Sequence, residues 1–145
     1  MPIEHVGVDL WRAASAWKDE YHARMVRAGH AWFGDARAVI AMHLDEDGLS
    51  QSELVRRVGT SKQAVQQLLD ALEADGIVAR TPDPDDRRGK RVTYTRRGQA
   101  AVRDGQRIKR EMERELSAEL GEKGMKRLIE ALGIVTQVFR RDGRP

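Results

Sequence analysis

The chain has 145 residues, of which 34% are charged, 40% are hydrophobic and only 5% are aromatic. This length fits one compact domain, and the excess of charged over aromatic residues favours long, exposed helices. The formal net charge of +3 is too small to indicate a nucleic-acid partner by itself,. The chain contains no cysteine, which excludes disulfides and thiol-based sensing,.

Several protein classes find no support in the sequence. The N-terminal residues lack the basic and apolar segments of a secretory signal, and no uncharged apolar run approaches the roughly 20 residues that span a bilayer. We therefore expect a cytoplasmic protein with no membrane partner. Motifs for phosphate-binding loops, nucleophile elbows and H-E-x-x-H zinc sites are absent, so an enzyme is the least supported class. The histidines His5, His22, His30 and His43 follow no compact metal-ligand spacing, and we expect neither a metal site nor a cofactor,.

The first part of the chain predicts one amphipathic helix followed by a second. Asp9 can cap the first helix, which should run to about Ala28 and stop at Gly29. Its apolar stripe consists of Leu10, Ala14, Trp17, Tyr21 and Met25,. These aromatic residues suit core or dimer packing, and a ligand pocket is the alternative. Asp35 is expected to open the second helix.

The stretch from Leu49 to Leu72 predicts two short helices joined by a tight turn. Each helix starts with a capping box, in which a hydroxyl residue is followed three positions later by Glu or Gln. The boxes are Ser50 with Glu53 and Thr60 with Gln63, so the helices should begin near Gln51 and Ser61. Gly59 should end the first helix. So short a turn forces a steep crossing, which is the helix-turn-helix arrangement.

The second of these helices carries a candidate base-reading face. Its apolar residues recur at helical spacing and predict one buried stripe, formed by Ala64, Val65, Leu68, Leu69 and Leu72,. Outside the stripe lie polar side chains, of which Gln can pair with adenine and Lys with guanine. The candidate base-reading residues are Ser61, Lys62, Gln63, Gln66 and Gln67. Ser50 and Gln51 can add contacts to the DNA backbone. An ordinary solvated face is the alternative for an isolated helix, and the hairpin that follows favours DNA.

A basic hairpin is predicted directly after this helix. Ile77–Thr81 and Arg91–Thr95 alternate like strands, and the turn-rich, charged segment Pro82–Lys90 lies between them,. A basic tip suits phosphate contacts and the insertion of an Arg into a narrow minor groove. The candidate residues are Arg87, Arg88, Lys90 and Arg91.

After Thr95, a predicted N-cap, a long helix should run to about Leu120, where Gly121 breaks it and a final helix follows. The apolar lines of the terminal helices lack partners within so small a domain, which implies a second copy of the chain.

The predicted fold is therefore mainly α with a small β-wing. Within a single domain, residues 34–97 form a winged helix-turn-helix lobe, and residues 1–33 and 98–145 form helical dimerisation arms.

Residues 49–98 resemble the core of the MarR family, the multiple-antibiotic-resistance type of bacterial transcription regulators. The matching pieces are LSQSELVRRVGTSKQAV, LEADGIVAR, DPDDRR and TRRG, in this order. The resemblance implies that Asp86 and Arg88 form a pair that shapes the wing and that Arg88 approaches the minor groove, with Arg87 as the neighbouring alternative. It also implies a two-fold dimer and a small aromatic, often anionic or phenolic, effector. The candidate effector residues are Trp17, Tyr21, His22 and His43.

The resulting prediction is a ligand-responsive, homodimeric repressor that binds double-stranded DNA at a pseudo-palindromic operator. Its half-sites should lie about 10 bp apart. Two alternatives stay open. One is a winged-helix module that contacts protein and has lost DNA binding, and the other is a DNA-binding protein that responds to no ligand.

Overall fold

A computed structural model describes residues 5–140 of the chain. Its elements are α1 (Val6–Arg27), a 3₁₀ helix (Ala31–Gly34), α2 (Ala38–His43), β1 (Leu49–Ser50), α3 (Gln51–Val58), α4 (Lys62–Ala74), β2 (Val78–Asp83), β3 (Asp86–Tyr94) and α5 (Arg96–Phe139). The strands form one antiparallel sheet in the order β1-β3-β2. The predicted mainly helical fold with a small wing is confirmed. The predicted dimerisation arms extend at both ends beyond the described residues, and their role stays a prediction.

One core joins the winged lobe to the long helices. From the lobe it takes apolar residues of α3, α4 and the sheet, among them Leu54, Leu69 and Val92, none of which is exposed to solvent. From the arms it takes Met25 of α1 and Ile108 of α5. Each large apolar side chain buried in this way contributes about 1.5–3 kcal/mol relative to an exposed one. The winged lobe is therefore seated on the base of the arms. No helix among residues 5–140 is long and apolar enough to cross a membrane.

The helix-turn-helix forms where it was predicted, but neither of the two predicted capping boxes is complete. Ser50 caps α3, and its Oγ accepts a hydrogen bond from the Glu53 N–H at 3.2 Å. Gly59 ends α3 in the left-handed region, with φ 76°. The capping box of Thr60 with Gln63 was wrong. Ser61 is the cap, because its Oγ accepts from the Ala64 N–H at 3.1 Å, and α4 begins one residue later than expected.

Two other helix starts were also placed wrongly. α1 begins at Val6, ahead of Asp9, and its first turn has no side-chain cap. Asp35 does not open α2. It follows the 3₁₀ helix, and its carboxylate accepts a hydrogen bond from the backbone N–H of Arg37 at 2.9 Å. α2 begins only at Ala38. Asp9 therefore lies inside α1, and Asp35 holds the turn ahead of α2 and does not cap the helix itself.

The wing strands are longer than the sequence pattern predicted. β2 continues to Asp83 and β3 already begins at Asp86, so Pro82 pairs with Lys90 inside the expected loop. The side chains at this tip are charged, and a hairpin solvated on both faces needs no apolar alternation. The pattern used to place the strands therefore could not extend to the tip.

α5 begins and bends at the predicted residues. Thr95 caps it by accepting a hydrogen bond from the Gly98 N–H at 3.1 Å. Gly121, with φ 73° and ψ 169°, interrupts the helix and separates its two segments.

Gly98 lies at the closest approach between α5 and the lobe. A Cβ built on Gly98 would overlap the carbonyl oxygen of Ile77 and would lie 3.0 Å from Cδ1 of Tyr94. The backbone of α5 can pass the end of the lobe at this distance only because residue 98 has no side chain.

Gly98→Ala should lower the free energy of unfolding by about 1–3 kcal/mol, since backbone must shift to admit the methyl group. Gly133→Ala is the matched control, because it lies in the same helix with nothing within 4 Å of the added carbon. The control should raise stability by up to about 1 kcal/mol through helix propensity. Urea unfolding of both variants measures the difference, and equal stabilities would contradict the close contact.

The Glu53 carboxylate does not return to the start of α3, as a complete capping box requires. It accepts hydrogen bonds from the Nε of Arg56 at 2.8 Å and the Nε of Arg57 at 3.3 Å. These bonds, chiefly the one from Arg56, lower the pKa of Glu53 to about 2. A lowered pKa in the folded state stabilises the protein above the unfolded pKa of about 4.3, and this stabilisation is lost as the pH falls.

Glu53→Gln should therefore be less stable than the parent chain at pH 6, and the difference in Tm should shrink between about pH 4.5 and pH 2. Thermal unfolding followed by circular dichroism across this range measures the difference. The Gly133→Ala variant introduces no titrating group and should keep a constant offset from the parent. A pH-independent offset for Glu53→Gln would rule out the paired carboxylate.

Candidate nucleic-acid interface

The start of α4 presents the polar face that the sequence predicted. Val65, Leu69 and Leu72 are fully buried, so the opposite side of the helix must project from the lobe. Four of the five candidate base-reading side chains are exposed and Gln66 is half-buried; the exposed ones are Ser61, Lys62, Gln63 and Gln67. The face contains hydrogen-bond donors and acceptors without apolar bulk.

Ser61 has a structural task as well. Its Oγ accepts the Ala64 N–H and so fixes the first turn of α4. The hydroxyl hydrogen is still free to donate, because a serine hydroxyl both accepts and donates. Ser61 therefore combines a cap with a donor at the exposed end of the helix.

The wing tip carries three basic side chains that have no acidic partner among the described residues. Arg87, Arg88 and Lys90 are exposed, and no carboxylate of residues 5–140 lies within ion-pair distance of them. Asp86 acts on the loop through the backbone, since its Oδ1 accepts the Arg88 N–H at 2.9 Å. The Arg88 guanidinium is thereby left free. These side chains form the concentrated positive charge of the lobe.

Three other candidate residues are bonded to the protein or partly buried in it. The Arg91 guanidinium donates to the carbonyl oxygen of Asp47 at 3.0 Å and ties β3 to the loop before β1. Ser50 serves as the cap of α3. The side-chain oxygen of Gln51 is buried without a hydrogen-bond partner among the described residues. Arg91 and Gln51 thus differ from the freely exposed residues of the wing tip.

A cavity of about 280 Å³ lies between α1, the 3₁₀ helix, α2, α5 and the base of the wing. Its aromatic walls are Tyr21, Trp32, Phe33 and Tyr94, and its charged residues are Asp45, Glu46 and Lys109. Of the four predicted effector residues, only Tyr21 lines it. Trp17 lines a separate groove along α1 and α5.

The two histidines proposed for an effector lie outside this cavity. The His22 ring packs edge-on against Phe33 at 5.6 Å between centroids, and burial lowers the pKa of His22. His43 is half-buried, and its carbonyl oxygen accepts from Arg57. Among residues 5–140, no three His, Asp or Glu side chains are grouped closely enough to hold a metal ion.

Sequence reasoning missed most of the cavity wall. Trp32 and Phe33 stand in a connector without periodicity, and Tyr94 belongs to a strand that contacts α5 only in the folded chain. Their aromatic character in a chain so poor in aromatic residues was the only available signal.

The cavity is rich in hydrogen-bond donors. Burial raises the pKa of Tyr21 and of Tyr94, so both phenols remain protonated near neutral pH. The indole N–H of Trp32 is buried without a partner among residues 5–140. The ammonium of Lys109 lies 5.1 Å from the centre of the Tyr21 ring. This arrangement suits a small aromatic molecule that carries oxygen acceptors.

Comparison with known proteins finds a family model that matches the winged region and solved structures that share the fold. A family model described as MarR family matches residues 34–89. Among solved structures, the transcriptional regulator PA3341 is 24% identical, with 94% of this chain and 99% of that chain covered and a TM-score of 0.76. Apo MarR from E. coli is 23% identical, with 93% and 98% covered and a TM-score of 0.67.

NadR, solved in complex with 4-hydroxyphenylacetate, is 16% identical, with 95% of this chain and 96% of that chain covered and a TM-score of 0.69. A search of curated proteins gave no match. At these identities the solved structures establish the fold, and the family model covers the winged region. The winged region is thus similar to the MarR family over residues 34–89, and the described chain shares its fold with the solved transcriptional regulators.

Proposed function

We propose that the protein is a homodimeric, sequence-specific DNA-binding repressor whose binding is relieved by a small aromatic ligand. The observation that carries the proposal is the combination, on one lobe, of an exposed polar helix start and a wing tip with unpaired basic side chains. A side chain of α4 that reaches base edges gives specificity, and the wing supplies contacts to phosphate or to the minor groove.

The distribution of charge supports DNA as the partner. Within the winged lobe, several other arginines are paired with carboxylates, such as Arg37 with Asp35 at 2.8 Å and Arg57 with Asp45 at 2.9 Å. Arg87, Arg88 and Lys90 have no such partner among the described residues. Unpaired cations at an exposed tip attract phosphate and release its counterions. A protein-interaction module would not need this concentration of free positive charge.

Exposed apolar side chains on the arms support a dimer. Trp11 is 79% and Phe139 is 81% exposed, and further apolar side chains of the two arms are open to solvent. They include Val6, Val8, Ile129, Leu132, Ile134 and Val138. A second copy of the chain is the natural cover for such surfaces. Two copies of α4 would then enter successive major grooves, at half-sites about 10 bp apart.

The cavity supports ligand response. It lies between the arms and the winged lobe, where an occupant contacts both parts of the molecule. The structure of NadR with 4-hydroxyphenylacetate gives a phenolic ligand as the first candidate class. The ligand would act by favouring one spacing of the two recognition helices over another. We assign repression, rather than activation, on the family resemblance.

The DNA proposal is tested by selecting bound duplexes from a random pool, in which we expect a palindromic consensus. On that duplex, Gln66→Ala should cost about 1–3 kcal/mol at particular base pairs and relax specificity there. Lys90→Ala should weaken binding to all sequences alike and reduce the slope of log affinity against log salt by about 0.9. Lys123→Ala, an exposed lysine beyond the bend of α5, is the control and should change neither property.

Gel-shift titrations at several salt concentrations measure both quantities. An unaltered base preference in Gln66→Ala would remove that residue from the reading set. Failure of the parent chain to select any sequence would favour the protein-interaction alternative.

The ligand proposal is tested by titrating 4-hydroxyphenylacetate and related phenolic acids against the protein–DNA complex. We expect at least one of them to release DNA from the parent chain. Val102→Phe places a ring in the cavity and should abolish release while leaving DNA affinity without ligand unchanged. Equal release from the variant would place the ligand elsewhere, and no release by any phenolic acid would favour a ligand-independent regulator.

A further inference from the structure

Arg80, the third residue of β2, lies between the recognition helix and the wing. Its side chain is only 14% exposed. The guanidinium donates to the carboxylates of Asp70 and Glu73, both on α4, with Nη2 3.3 Å from the Glu73 Oε1. The backbone N–H of Arg80 also donates to the Glu73 Oε2, at 3.0 Å. One residue of the wing strand is thus joined to the helix by its side chain and its backbone.

The contact between the Arg80 guanidinium and these carboxylates is a set of charge-assisted hydrogen bonds. Hydrogen bonds between ionised partners are about twice as strong as neutral ones, and a guanidinium can hold several acceptors in a fixed plane. The Arg80 guanidinium also lowers the pKa of Glu73, so that carboxylate is charged near neutral pH. Because Arg80 is shielded from solvent, salt screens this contact less than it screens an exposed ion pair.

The two ends of the contact lead to the two DNA-facing surfaces. Asp70 is one helical turn beyond Gln66, so its carboxylate is next to the base-reading face, and it is 66% exposed,. In the other direction, β2 runs from Arg80 to the turn that precedes Arg87 and Arg88. The contact therefore fixes the angle between α4 and the wing near the start of β2.

We propose that Arg80 is a positioning residue for DNA recognition. By bridging Asp70 and Glu73, it holds the wing at the angle at which Gln66 in the major groove and Arg88 near the minor groove bind one duplex together. The proposal rests on the DNA-binding function proposed above and adds a residue that touches no DNA itself. Without the bridge, each surface can still bind, but the two no longer bind as one unit.

Three other roles of Arg80 make different predictions. A direct phosphate contact would appear in the salt dependence of binding. Simple neutralisation of Asp70 would be reproduced by removing the Asp70 charge. A role in folding alone would appear in thermal stability and not in the affinity of fully folded protein.

The test compares Arg80→Gln, Arg80→Lys and the double variant Asp70→Asn with Arg80→Gln, as full chains, on the selected duplex and on a scrambled one. Arg107→Gln, which also loses an arginine paired with two carboxylates but lies exposed and pairs only within α5, is the control. Affinity is measured at several salt concentrations and at a temperature where circular dichroism shows each variant to be folded.

We expect Arg80→Gln to weaken binding to the selected duplex about tenfold, with a smaller effect on the scrambled duplex and an unchanged salt slope. Arg80→Lys should restore only part of this loss, since an ammonium cannot bridge two carboxylates in the fixed plane of a guanidinium. The double variant should remain weak, and Arg107→Gln should bind like the parent chain. In the parent chain, the losses of DNA-binding free energy caused by Gln66→Ala and Arg88→Ala should be non-additive. In the Arg80→Gln background, the same two losses should add.

Four results would overturn the proposal. The first two are unchanged selectivity in Arg80→Gln and a slope of log affinity against log salt that falls in this variant by about the value of one phosphate contact. The other two are recovery of affinity in the double variant and non-additivity that persists without Arg80. If Arg80→Gln does not fold, Arg80→Lys decides the question, and full selectivity in that variant overturns the proposal. A parent chain that selects no duplex would instead refute the proposed function, so the two failures are distinguishable.

Discussion

The carbonyl oxygen of Ile77 is the point at which the recognition helix, the wing and the long arm meet. The backbone N–H of Thr95 donates to it at 3.0 Å, and Gly98 lets α5 pass beside it. The Thr95 hydroxyl lies between this oxygen and the carbonyl oxygen of Gly76, which is its closer acceptor. Nearby, Arg97 donates to the carbonyl oxygen of Asp75 at 3.0 Å, at the end of α4. Because these contacts involve backbone atoms, they leave little freedom between the arm and the base of the helix. Movement of the arm must be carried to α4.

The cavity lies close to this contact between α5 and the lobe. Ala101 and Gly105, which line it, lie one and two turns along α5 from the joint, and the hydroxyl of Tyr21 rests where a Cβ on Gly105 would be 2.5 Å away. Glu46, on the lobe side, accepts a hydrogen bond from Gln106 of α5. A molecule that separates these walls would therefore act on the same helix that fixes the end of α4. On the proposed function, such a molecule would act on α4 through this joint, and no long chain of coupled residues would be required.

Local chemistry predicted much of the fold, and the errors were of two kinds: the exact ends of helices and strands, and the contacts between distant segments. Gly59 and Gly121 were assigned correctly because only glycine readily adopts their positive φ,. The choice between Thr60 and Ser61 failed because two adjacent hydroxyl residues offer the same cap, and the backbone path decides between them. The polar face of α4 followed from its apolar stripe. The cavity wall could not be predicted in this way, because its residues come from separate elements and Trp32 belongs to none of the periodic segments.

The division of arginines explains how a chain with a net charge of only +3 suits selective DNA binding. A uniformly basic surface binds all sequences through phosphate, which raises affinity for competing DNA as much as for the operator. Here Arg24, Arg37 and Arg80 are used within the protein, each held by carboxylates that join separate elements. At the wing tip, Arg87, Arg88 and Lys90 have no carboxylate partner among residues 5–140. On the proposed function, affinity would then depend on placing the wing and α4 on the duplex together, and the geometry of the lobe would be the source of selectivity.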